Sequence, residues 1–188
     1  MANTKTNVST GKPKTAGAVF RAPAGTAVPT DATTDLAATF KAMGYVSEDG
    51  LINARSSDSE TIREWGGDAV YETEDNVEDT FQLTLIEALN PEVLKAVHNA
   101  DNVSGTLTAG ITVQVNGEEH ESAVWVIDMI LRGGVLKRIC IPDAAISEVG
   151  EVAYRRNEAI GYQITLKANA DASGNYHYEY IKAPASNG

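Results

Sequence analysis

Three histidines, one cysteine and a dense run of carboxylates are the residues of this chain whose chemistry could be used. His120 stands in Glu118-Glu119-His120-Glu121, the composition of a weak metal cluster. Period-two alternation puts Glu119 and Glu121 on one face and His120 on the other, a poor local geometry for chelation. His98 ends a short helical pattern, where an exposed cation suits the helix dipole. His177, alternating with Tyr176, Tyr178 and Tyr180, reads as the wet side of a strand. Cys140 lies in the strand-like run Leu136-Lys137-Arg138-Ile139-Cys140-Ile141 and reads as a small buried hydrophobe, because a lone thiol cannot form an internal bridge.

The motifs of known chemistries are missing from the sequence. Thr10-Gly11-Lys12 resembles the end of a phosphate loop, but Thr6 stands where that loop needs glycine and Pro13 replaces its Ser or Thr. There is no G-x-S-x-G, no G-x-G-x-x-G, no H-E-x-x-H and no paired C-x-x-C. Glu72, Glu74, Asp75, Glu78 and Asp79 lack the spacing of a calcium loop, which leaves a solvated or interface charge run. No catalytic residue, metal ligand or cofactor is expected.

Charge is distributed unevenly. The net charge of −11 argues against a phosphate-binding surface, which needs clustered Lys and Arg. Between Ser47 and Thr80 lie Glu48, Asp49, Asp58, Glu60, Glu64, Asp68, Glu72, Glu74, Asp75, Glu78 and Asp79, opposed only by Arg55 and Arg63. The first sixteen residues carry Lys5, Lys12 and Lys14 and no acid.

The elements that must position these residues follow from periodicity. At 188 residues the chain suits one domain, which at this size buries about 70% of its unfolded surface and needs no disulfide or metal. Residues 1–16 hold little to bury and are expected to form a flexible arm before a β domain at 17–188. Met1–Asn7 contain no apolar core and no apolar run approaches the ~18 residues of a membrane span, so a soluble protein made in a cytoplasm is expected. Gly17–Arg21 reads as a first strand. Leu36, Phe40 and Met43 fall at i, i+4 and i+7, which predicts a helix from about Asp31 to a stop at Gly44.

Residues 47–80 read as a long acidic loop carrying a hairpin with Thr61-Ile62-Arg63 and Ala69-Val70-Tyr71 as arms, or ordering on a partner. Phe81–Leu85 alternates as a strand, and Asn90-Pro91-Glu92 is a helix start. Asn116-Gly117 predicts a hairpin between Ile111–Val115 and a return strand from Glu118 through Ile127. Further strands are expected at Gly134–Ile141, Ile160–Ala168 and Tyr176–Lys182. The fold class is therefore mainly β: a sandwich or partial barrel of about seven or eight strands with one or two short helices. Trp125 reads as core, Trp65 as a local anchor for the acidic loop or an intersubunit contact, and Asp128 as an unusual charge within a strand.

Several segments, in this order, resemble the tail-tube (major tail) proteins of long, non-contractile-tailed bacteriophages. The opening Ala22-Pro23-Ala24-Gly25-Thr26-Ala27-Val28-Pro29-Thr30-Asp31 and Gly44-Tyr45-Val46-Ser47-Glu48-Asp49-Gly50 follow the family pattern. So do Trp65-Gly66-Gly67-Asp68 and the run from Phe81 through Asn90-Pro91 to Val97. The second half of the chain matches only as a run of strands.

The resemblance implies a structural subunit of the virion tail, assembled in the bacterial host cytoplasm. It implies six-membered rings stacked into a hollow conduit for DNA ejection, with the arm and the long loop tying ring to ring. Implied partners are further copies of the chain and other tail proteins such as the tape measure, tail tip and terminator. DNA is expected to pass without specific binding, since a negative lumen repels phosphates. From the charges, Lys5, Lys12 and Lys14 are expected to dock against the acidic segment of the adjacent ring, with Glu48, Asp49, Asp58, Glu60, Trp65 and Asp68 as contact residues. Two other readings stay open: the inner tube of a related secretion or bacteriocin machine, and a β-sandwich module binding a carbohydrate or host receptor, for which Tyr176, Tyr178 and Tyr180 are the candidate aromatics.

Overall fold

The computed structural model describes residues 4–14 and 18–184, apart from the side chains of Thr6, Asp58, Glu60 and residues 73–76. The described chain is mainly β, with strands β1 (Gly11–Pro13), β2 (Val19–Pro23), β3 (Lys41–Ala42), β4 (Val46–Arg63) and β5 (Ala69–Leu85) before helix α1 (Pro91–His98). After it come β6 (Val103–Thr106), β7 (Gly110–Val113), β8 (Ala123–Leu131), β9 (Leu136–Val149), β10 (Tyr162–Ala168) and β11 (Tyr178–Lys182). These eleven strands exceed the seven or eight expected. They form one open nine-stranded sheet in the order β3-β2-β8-β9-β10-β5-β4, with β1 on β8 and β11 on β9, plus the small pair β6-β7. All pairings are antiparallel.

The centre of the sheet is buried on both faces. On β8, Ala123, Trp125 and Ile127 join a large cluster with Leu83, Ile141, Ile164 and Leu166, covered by Val93, Leu94 and Val97 of α1. Val124 and Val126 point the other way, into a smaller cluster with Ala22, Phe40 and Cys140. Burial on both faces is why β8 reads as an unbroken apolar run. Helix α1 starts where predicted: the Asn90 side chain accepts from the Glu92 amide at 3.0 Å and Pro91 takes the first position.

The predicted helix at 31–43 is absent. Its apolar stripe divides between the two sides of the sheet: Leu36 and Phe40 belong to the smaller cluster and Met43 to the larger. The Asp31 carboxylate accepts from the amides and hydroxyls of both Thr33 and Thr34, a capped turn of the kind that can open a helix, but here the chain leaves it in irregular backbone. Those bonds, led by the Thr34 hydroxyl, hold the Asp31 carboxyl well below the usual carboxylate range. Gly44 has φ +72° and serves a turn beside Glu87, whose Oε1 accepts from the Tyr45 amide at 3.0 Å.

The hairpin at Asn116-Gly117 is also absent. β7 pairs with β6, not with β8. The Asn116 side chain exchanges hydrogen bonds with buried Asn102 and caps the Glu118 amide, so it serves an irregular connection. The arm is not wholly separate from the domain, since Gly11–Pro13 forms β1 against Leu131–Met129. Gly17, read as the start of the first strand, lies outside the described residues.

Candidate assembly surface

The acidic segment is a long hairpin, not a loop. β4 and β5 pair from Leu51↔Leu83 to Arg63↔Ala69, with Ile62 opposite Tyr71 as the arms were read. β10 pairs with β5 only over Asp79–Leu85. Between Asp79 and the turn the two strands therefore pair, among the described residues, only with each other, as a ribbon with no strand on either outer edge. β4 is the last strand of the sheet along its whole length, and such an edge invites pairing with another chain.

Buried polar contacts fix the root of this ribbon. Asp79 is 1% exposed. Its Oδ1 accepts from Asn53 Nδ2 at 2.7 Å and its Oδ2 lies 2.5 Å from His177 Nδ1. The His177 ring meets Phe81 edge-on at 5.2 Å. His177 thus faces into the structure, contrary to the wet-side expectation, because Asp79 on another strand supplies it with a partner.

The ribbon exposes large side chains: Ile62, Val70, Tyr71 and, at the turn, Trp65, which is 104% exposed. Of the two readings of Trp65, the local anchor is not what the structure has, since none of the described residues covers it. The turn closes through Glu64 and Asp68, whose backbone groups bond at 2.9 Å, and through Arg63 Nη1 to the Gly67 carbonyl at 3.1 Å. Glu48 and Asp49 are exposed at the start of β4, and Asp58 and Glu60 lie farther along the same strand.

On the arm, Lys5 sits in a short 3-10 turn and Lys12 on β1, both exposed. Lys14 differs. Its amide donates to the Asp128 carbonyl at 3.2 Å, and its ammonium lies 3.8 Å from Asp128 Oδ2, so its charge is already engaged within its own chain. Asp128 is buried and faces Arg138 across the β8–β9 pair. Arg138 Nε and Nη2 donate to its two oxygens at 2.6 and 2.8 Å, while Nη1 donates to the carbonyls of Asp31 and Thr34. This charge pair fastens the 31–34 turn to the sheet. The sequence offered no signal for it beyond an acid inside an apolar strand.

The other reactive groups are internal. Burial pushes the Cys140 thiol up to about 12, so it is inert as a nucleophile. His98 packs edge-on against Tyr162 at 5.8 Å, and with His120 and Glu118 it lines a cavity of about 230 Å³. Among the described residues no three His, Cys, Asp or Glu side chains gather as a metal site. Tyr178 and Tyr180 stack with centroids 6.4 Å apart and pack on the smaller core cluster, whereas Tyr176 packs on the larger one. The three tyrosines do not share one platform.

The described residues thus form an open antiparallel sheet that runs out into a two-stranded ribbon with an exposed tryptophan at its turn. The chain belongs to the phage tail tube protein family, whose family model matches residues 2–187. That family is structural, and its place is the virion tail. The match agrees with the resemblance read from the first half of the sequence and extends it through the second half. No curated protein matched the chain. No described helix is long and apolar enough to cross a membrane.

Proposed function

We propose that the chain is a tail-tube subunit that assembles into rings, six-membered as in the resembling proteins, stacked into a hollow conduit for DNA ejection. The single observation that carries this reading is the β4–β5 hairpin: a ribbon with no strand on either outer edge among the described residues, running out from a sheet that is itself open. Closing such sheets edge to edge in a ring removes the edges that a lone subunit must protect. The ribbon and the arm then span neighbouring rings, with Lys5 and Lys12 facing Glu48, Asp49, Asp58, Glu60 and Asp68, and Lys14 joining them only if it leaves Asp128. Each exposed pair contributes only ~0.2–1 kcal/mol, so the charges guide register more than they supply affinity. A net charge of −11 keeps DNA moving through the lumen without specific binding. The tape measure, tail tip and terminator are the other partners.

The test is negative-stain electron microscopy of the concentrated full chain beside a variant lacking residues 1–16. Hollow tubes from the full chain, with rings or monomers from the truncation, support both the tube and the role of the arm. A full chain that never assembles counts against the tube.

A further inference from the structure

The uncovered tryptophan has a cavity to match it. Between β1, the start of β4 and the β8–β9 pair lies an opening of about 460 Å³. Its floor is apolar, formed by Val19, Leu83, Ile127 and Ile139, and its walls include Leu51 and Met129. Four charged residues also line it. Asp128 is held by Arg138 and Lys14, and Lys137 and Glu179 pair with each other at 2.7 Å. The fourth is Lys12, whose ammonium alone has no partner among the described residues. At the ribbon tip, Glu64 precedes Trp65 and Asp68 follows it after two glycines, and their carboxylates are likewise unpaired among the described residues. The tip offers an indole with acids beside it, and the cavity offers an apolar floor with a free cation at its edge.

Trp65 cannot reach the cavity of its own subunit. Asn53 lines that cavity, and β4 runs from Asn53 to Arg63 as an extended strand laddered to β5. Some ten steps at about 3.3 Å each hold the tip roughly 33 Å away, and the ladder prevents it from folding back. We propose that Trp65 of one subunit seats in this cavity on a second copy of the chain, with Glu64 and Asp68 beside Lys12. The proposal rests on the tube reading above and specifies its contact. Burying an indole in a water-excluding pocket is what makes tryptophan a dominant interface residue.

The test uses the full chain in three arms. First, Trp65→Ala raises the protein concentration at which tubes appear at least tenfold. Full exposure of Trp65 in the free subunit means that its removal leaves folding intact, as circular dichroism checks. Second, tryptophan emission of the wild type shifts to shorter wavelength on assembly, and the shift vanishes in Trp65→Phe because Trp125 is buried throughout. Third, a short bis-maleimide links Trp65→Cys to Met129→Cys between subunits of the double variant, giving a ladder on a denaturing gel that neither single variant gives. Leu51→Cys replaces Met129→Cys if the latter disturbs assembly. Wild-type tubes with normal assembly of Trp65→Ala, or with no cross-link from either cavity position in double-variant tubes grown above the raised threshold, overturn the proposal and leave the tube standing. Wild-type protein that forms no tubes overturns both.

Discussion

Arg138 holds both carboxylate oxygens of Asp128 from the neighbouring strand, at 2.6 and 2.8 Å, with its side chain 1% exposed. Its third nitrogen reaches the Asp31 and Thr34 carbonyls, so one guanidinium joins the sheet to the irregular segment that covers it.

Removing one partner of this pair strands the other charge in the interior. Arg138→Met is expected to cost ~3–5 kcal/mol in urea unfolding. Asp128→Leu combined with Arg138→Met is expected to cost less than the sum of the singles. A loss below ~1 kcal/mol for Arg138→Met means that the pair is not buried in solution.

Mild acid is expected to weaken the fold through two histidines. Burial holds the His98 imidazole below its ordinary value of 6.5, and nearby His120 adds to this; His120 itself is lowered by burial and by Arg21. Both rings therefore favour the neutral form when folded. Their contribution is fully present above pH 6.5 and is lost as pH falls from there toward the depressed folded values. The urea midpoint should drop between pH 7 and pH 5, and His98→Phe with His120→Leu should flatten that slope. An unchanged slope in the double variant rules out these two rings as the source.

Gly44→Ala is expected to destabilise by ~1–3 kcal/mol, because φ is +72° and a methyl group there meets the Glu87 carboxylate. Gly25→Ala, at φ +79° with open space around it, isolates the backbone part and should cost less. Equal losses in thermal unfolding remove the Glu87 clash from the account.

Tube growth should slow when salt is raised to several hundred millimolar, where the Debye length falls toward ~3–5 Å and exposed pairs are screened. Light scattering gives the rate. Residual growth at high salt measures the apolar and strand-pairing contacts, and an unchanged rate removes the lysine–carboxylate contacts from the mechanism.

Legibility in the sequence followed the range of the interaction. Helix α1 was readable because Asn90, Pro91 and Glu92 specify it within one turn, and the arms at 61–63 and 69–71 because turn residues lie between them. The false helix at 31–43 shows the limit: Leu36, Phe40 and Met43 have helical spacing, but each is placed by a strand far away in sequence. Asn116-Gly117 failed as a hairpin because the Asn116 side chain is taken by Asn102. His177 and Asp128 were misread or left open for the same reason, since their partners Asp79 and Arg138 are fixed by strand order, which no local pattern states. Trp65 by type suits either a local anchor or an intersubunit contact, and only its exposure at the end of the ribbon separates the two.

The ribbon has a mechanical consequence. β4 and β5 run 18 and 17 residues, close to the limit of chain extension except at the register shifts near Val46/Leu51, Ser56/Asp58 and Ile62/Arg63. A pull on the turn at Trp65 has little slack to take up beyond those shifts. It passes as tension along the covalent backbone of β5 into the part that β10 grips, in the middle of the sheet. A filament linked through such struts resists stretching along its axis while each strut remains free to flex sideways.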